Sequence, residues 1–247
     1  MADFQYVEKH NGQYIPFPKK QIRATHDKKF PYEAYTGACA GTVASVLERL
    51  IFQASPSLHF FKRSPSVLLP SPEKCIINQC FYEQDPEYFF TRLVRDKLHI
   101  SQTGYPQSEE YRHDINDIAN TLTNDGDKNE IILLNVILSV DAKKAGPATQ
   151  DHMMALIKHD GQYIFCDPDA GIAIFNKSDA LKAWLKDETV EGALKYCSNY
   201  VETKMLISSR KNDENAMVTN VKRKVQTIHM QCYTYDSIVS SRIQANL

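Results

Sequence analysis

The chain lacks any excess of charge. Its 29 Lys and Arg stand against 30 Asp and Glu in 247 residues, a formal net charge of -1, so no surplus of cations exists to hold an anionic polymer by counterion release. Nucleic acid is therefore not an expected partner. A long apolar run is missing too. The longest, Ile131 to Val140, is ten residues broken by Asn135 and Ser139, well short of the ~20 residues a membrane-spanning helix needs. No integral membrane segment is expected.

The first 30 residues contain no apolar stretch of seven or more, so a Sec-type signal peptide is not expected either, which leaves export through a dedicated injection machine open. Six sparse, irregularly spaced cysteines do not make a disulfide scaffold, and free thiols in a reducing compartment are the expectation. Internal repeats and low-complexity tracts are absent. What the chain does have is 43% apolar residues, enough at this length to bury roughly 70% of the unfolded surface.

Residues 1 to 30 are polar, carry Pro16 and Pro18, and show neither helical nor strand periodicity, so they read as a flexible tail before a single domain spanning 31 to 247. Ala40, Val43, Val46, Leu47, Leu50 and Ile51 then recur at helical steps, from a cap at Thr36 to a stop at Ser55-Pro56. Repeated prolines between 55 and 107 predict irregular surface interrupted by one helix from Pro86 to Lys97. A second long helix is expected from Ser108 to Thr123. Strands follow at 131–140, 152–159, 162–167 and 172–176, then a helix from Ser178 to Leu185, a short helix near 190–198, and strands near 201–208 and 225–234. One helix followed by mainly sequential strands argues for an α+β domain with a largely antiparallel sheet.

Cys39, in Thr36-Gly37-Ala38-Cys39-Ala40-Gly41, falls at the third helical position if Thr36 is the cap. There, unpaired backbone N–H groups and the positive end of the helix stabilise a thiolate. Taken alone, such a cysteine is more often a buried structural thiol. A nucleophilic thiolate wants a histidine and a group to orient it, and the chain around Asp160-Gly161 offers both. Asp-Gly between alternating strands predicts a two-residue type I′ turn with His159 opposite Gln162. Extending that register places His152 and Asp167 as diagonal neighbours on one sheet face, roughly 7–8 Å apart at the backbone and within side-chain reach. Asp169 would face His152 directly, but Pro168 interrupts the ladder, so Asp167 is preferred. Cys166 alternates to the other face and should be core.

Other polar features have plainer readings. Cys75-x4-Cys80 lacks a second ligand pair for a metal. Cys197 and Cys232 belong to no motif. Arg112, His113, Asp114 and Asp117 suit a solvated helix face, and Lys222, Arg223 and Lys224 suit a charged edge that protects a sheet.

The pattern as a whole resembles the YopT/AvrPphB family of bacterial effector cysteine proteases, which share the papain-like fold. The resemblance rests on Gly37-x-Cys39 at a helix start, on His152 on a strand 113 positions later, and on Gly161-x-Tyr163-x-Phe165-x-Asp167-Pro168-x-x-Gly171. It covers residues 35 to 185. It implies a nucleophile-bearing helix packed on a mainly antiparallel sheet, with Cys39, His152 and Asp167 as catalytic residues. It also implies a host protein as substrate, no cofactor or metal, and secretion from the bacterial cytoplasm into the host cell. In the family an upstream Asn or Gln lends its amide to the oxyanion hole, and Gln21 is the nearest such residue before Cys39. A glutamine deamidase or transglutaminase with the same triad is one alternative, and a non-catalytic binding module on the same scaffold is another.

Overall fold

The computed structural model describes residues 6–17, 38–52, 69–97, 107–112, 128–142, 146–186, 201–207 and 217–236. Among them are eight strands: β1 (Gly12–Pro16), β2 (Gln107–Arg112), β3 (Lys128–Ala142), β4 (Gly146–His159), β5 (Gln162–Asp167), β6 (Gly171–Phe175), β7 (Val201–Ile207) and β8 (Met217–Asp236). They form one sheet in the order β1, β6, β5, β4, β3, β8, β2, with β7 also pairing β8. Every pairing is antiparallel. The helices are α1 (Cys39–Phe52), α2 (Pro72–Gln84), α3 (Phe89–Arg92), which runs into a π-turn at Leu93–Lys97, and α4 (Ser178–Lys186).

Both sheet faces are buried. Ile131, Leu133, Met153, Ala155, Ile157, Ile164 and Cys166 share a core with α1 and α3 through Val43, Leu47, Leu50, Phe89 and Phe90. Ile132, Leu134, Met154, Leu156, Phe165 and Phe175 share the other with Leu181, Trp184 and Leu185 of α4. Burial on two sides explains why β3 is an almost unbroken apolar run, since neither alternating set of side chains meets water. The Trp184 ring sits between Phe165 and Phe175, with centroids 5.6 and 5.5 Å away.

At the β4–β5 turn Asp160 and Gly161 both have positive φ, 46° and 76°, as a type I′ turn demands. His159 pairs with Gln162, and the ladder runs back to Ala155 opposite Cys166. α1 and α2 touch backbone to backbone at Gly41, where a Cβ would run into the Cys75 carbonyl. Only glycine admits that approach.

Several sequence expectations fail. The amino-terminal segment is not simply a tail, because residues 12–16 pair with β6 as an edge strand. The region 55–107 is not loop throughout. Pro72, taken as punctuation, is the first residue of α2, and the Ser71 hydroxyl caps it by accepting the Lys74 N–H at 3.3 Å. Apolar periodicity could not reveal α2, since Ile77 and Phe81 are exposed while Asn78 and Gln79 are buried. In place of a helix starting at Ser108, residues 107–112 are strand, because β8 offers them an open edge to pair with, and pairing overrides local propensity. The Pro86–Lys97 helix starts only at Phe89. Lys222 and Arg223 do not lie on a sheet edge: β8 is flanked there by β3 on one side and β7 on the other. The helix expected at 190–198, Cys197, and residues 113–123 lie outside the described residues.

Candidate active site

The first helical hydrogen bond of α1 runs from the Thr42 N–H to the Ala38 carbonyl at 2.8 Å. Ala38 is therefore the cap residue and Cys39 the first helical position, two places earlier than a cap at Thr36 implies; Thr36 itself lies outside the described residues. The Gly41 N–H is taken by the Gln79 Oε1 of α2 at 2.9 Å. That leaves the Cys39 and Ala40 amides at the positive end of the helix, beside the thiol. Cys39 is half-buried at the border of the α1 core. Gln79 was not legible in the sequence, because no local motif links a helix start to a side chain 38 positions on. Gln21 lies outside the described residues.

His152 is on β4, three residues beyond Ala155, where pairing with β5 stops. Asp167 ends β5, and Pro168, Asp169 and Ala170 turn the chain into β6. At this open end of the hairpin the His152 Nε2 and the Asp167 Oδ1 lie 2.9 Å apart. The Asp169 N–H donates to the same Oδ1 at 2.9 Å, so the structure pairs His152 with Asp167 and uses Asp169 to hold that carboxylate. Asp167 is fully buried, and its Oδ2 has no hydrogen-bond partner among the described residues. The Cys39 side chain hydrogen-bonds His152. With Nε2 turned to the carboxylate, Nδ1 is the ring nitrogen left for the thiol.

The electrostatics follow from that arrangement. Burial alone would push the His152 imidazolium down. The Asp167 charge and hydrogen bond, the bond to Cys39 and the charge of Asp169 outweigh it and hold the group well above its ordinary value of 6.5. Cys166, next in sequence to Asp167, behaves oppositely: burial, with the charges of Asp167 and Cys75 adding, pushes its thiol well up and keeps it inert. Cys80 is also raised, by burial and by Glu83.

His152, Asp167 and Asp169 offer donor atoms within 4.8 Å of one another, a spacing that could hold a cation. Asp167 Oδ1 already engages both His152 and the Asp169 amide, however, and a hydrogen-bonded acid–base pair accounts for all three. A cavity of about 260 Å³ has Met153 in its wall and none of Cys39, His152 or Asp167. Phe90, Leu133 and Met153 are apolar parts of its wall, and Asn135, His229 and Gln231 are polar. A half-buried thiol at a helix start, bonded to an imidazole that a buried carboxylate orients, can attack a carbonyl and shuttle the proton to a leaving amine.

The chain matches no family model and no curated protein. Similar solved structures include two bacterial proteins. One is the Pseudomonas avirulence protein AvrPphB, at 14% identity over 79% of this chain and 93% of that one, with a TM-score of 0.36. The other is PatoxP, a cysteine protease-like domain of the Photorhabdus asymbiotica toxin PaTox, at 16% identity over 74% of this chain and 50% of that one, with a TM-score of 0.29. Identities and TM-scores this low assign neither family nor activity. The α+β arrangement, with the Cys39 helix packed on an antiparallel sheet, is read from the strands and helices themselves.

Proposed function

We propose that the chain is a cysteine-nucleophile hydrolase of protein amide bonds, most simply a thiol protease on a papain-like scaffold. The observation that carries this reading is the buried His152–Asp167 hydrogen bond at 2.9 Å, with the half-buried Cys39 at the start of α1 near enough to His152 to help raise it. The Cys39 sulfur attacks the amide carbonyl carbon. His152 carries the thiol proton and passes it to the departing amine as the carbon–nitrogen bond breaks, leaving a thioester. Water then attacks that thioester, giving its proton to His152, and the carboxylic acid and the free thiol are released. Asp167 keeps the imidazole in the tautomer that faces the thiol, and the Cys39 amide supports the oxyanion at the helix start. Delivery as a bacterial effector, with a host protein as substrate, follows from the motif resemblance.

The test is to add the protein and its Cys39→Ala form to a host-type cell lysate and sequence new peptide ends by mass spectrometry. New amino termini that need Cys39 are the expected result. A +1 Da glutamine or a Gln–Lys crosslink would keep the triad and replace proteolysis by deamidation or transamidation. Identical spectra from the two forms would remove catalysis altogether.

A further inference from the structure

The turn that carries Asp167 is tight. The Ala170 N–H bonds back to the Asp167 carbonyl at 3.0 Å, and the Asp169 N–H to Oδ1 at 2.9 Å. Its far side is gripped by β1. The Ala170 carbonyl accepts the Phe17 N–H at 3.1 Å and the Tyr14 hydroxyl at 3.1 Å, the latter from 156 positions away in the chain, which uses both lone pairs of that oxygen. Gly171, next along, has φ 154°. A Cβ there would run into the Ile15 carbonyl and lie 2.9 Å from the Pro16 Cα, so β1 sits flush on the turn. Ile15 and Phe17 anchor β1 in one core, and Val7 before it is anchored in the other.

We propose that Tyr14 is a positioning residue, whose hydroxyl on the Ala170 carbonyl fixes the turn so that the Asp167 carboxylate stays within hydrogen-bond distance of His152. This rests on the reading of Cys39, His152 and Asp167 as the catalytic set. The phenol is not needed to form the strand, because β1 already pairs with β6 through five residues. Its bond acts on the carbonyl of Ala170, the residue whose N–H closes the Asp167 turn. Among the described residues, the titratable groups that act on His152 are Asp167 on β5, Asp169 in the turn and Cys39 on α1. Two of the three therefore belong to the segment that Tyr14 holds.

The experiment needs no substrate. In the full chain, the rate of Cys39 alkylation by iodoacetamide is followed by peptide mass spectrometry across the pH range in which histidine titrates, for wild type, Tyr14→Phe and Val7→Ala. Tyr14→Phe keeps the ring and loses the hydroxyl. It is expected to slow Cys39 alkylation near pH 6 by about threefold to tenfold, the worth of one hydrogen bond, and to move the pH profile as His152 loses its fixed partner. Val7→Ala opens a cavity in the same segment without touching Ala170, and is expected to lower the unfolding temperature while leaving the profile in place. A Tyr14→Phe profile that superimposes on wild type, or a Val7→Ala profile that moves as far, overturns the proposal while leaving the catalytic reading intact. Wild-type Cys39 reacting no faster than Cys80 or Cys232 overturns both.

Discussion

The β4–β5 hairpin holds a buried histidine beside an aspartate at each end, and the two pairs behave oppositely. At the turn end His159 is 1% exposed, with the Asp160 carboxylate 3.7 Å away on a side chain 41% exposed. Burial wins there, and His159 is pushed below its ordinary value although Asp160 pulls the other way. At the open end His152 is 8% exposed, and burial opposes its charge in the same sense. It is outweighed by a fully buried carboxylate at 2.9 Å, by the thiol of Cys39 and by the charge of Asp169. A carboxylate that keeps its own water is screened and weak, whereas one stripped of water and in direct contact is not. One hairpin thus holds an imidazole lowered by burial at its turn end and one raised by its partners at its open end.

Removing the charge at the open end should break this contrast most severely. Asp167→Asn preserves the shape of the side chain but leaves His152 with burial and without its main partner, so the ring falls toward the state of His159. Turnover is expected to drop by roughly 10³–10⁴-fold, the scale seen when a triad histidine loses its orienting carboxylate, and Cys39 alkylation near neutral pH should slow with it. Asp169→Asn retains the backbone N–H that holds Asp167 and should cost far less. Equal losses from the two substitutions, measured as kcat on the identified substrate, would put the orienting role on the wrong aspartate.

The pH dependence of stability sharpens the comparison, because the two histidines contribute with opposite sign. His152, raised, binds a proton on folding. Its contribution is complete below about pH 6.5, the unfolded value, and is lost as pH rises through the higher folded value. His159, lowered, sheds a proton on folding, so its contribution is complete above about pH 6.5 and is lost as pH falls through the lower folded value. In thermal unfolding across pH, His152→Gln should flatten the alkaline limb of the wild-type curve, and His159→Gln the acid limb. Both variants flattening the same limb would mean that the two ends of the hairpin do not differ as described.

What was legible in the sequence follows the reach of each interaction. The Asp160-Gly161 turn fixes its own register from two residues, and period-two alternation carries that register out to Cys166, so the neighbourhood of His152 and Asp167 could be placed before any coordinates. α1 was legible because its apolar positions repeat at helical steps. β1 was not, because Gly12–Pro16 is strand only by virtue of β6, and Tyr14 means nothing locally until Ala170 is beside it. Gln79 is hidden for the same reason: its amide caps a helix that starts 40 positions earlier. Residues 107–112 were misread because the edge of β8 that pairs with them is supplied from the far end of the chain. The centre of the site was therefore written in local patterns, and its supports in contacts between distant segments.

The smallest expected effect is at the turn itself. Gly161 has φ 76°, and a Cβ there would meet nothing within 4 Å, so Gly161→Ala introduces backbone strain without a clash. The cost should be about 1 kcal/mol, a fall in the unfolding midpoint of about 2–4 °C for a chain of this size. Cys39 alkylation and turnover should not change, because the strain lies at the end of the hairpin that carries His159. Gly171 makes the contrast: its missing Cβ is the space that β1 occupies against the Asp167 turn. Gly171→Ala should therefore lower stability and Cys39 reactivity together, where Gly161→Ala lowers stability alone. If Gly161→Ala also slows Cys39, the hairpin transmits strain along its whole length and its two ends are not independent.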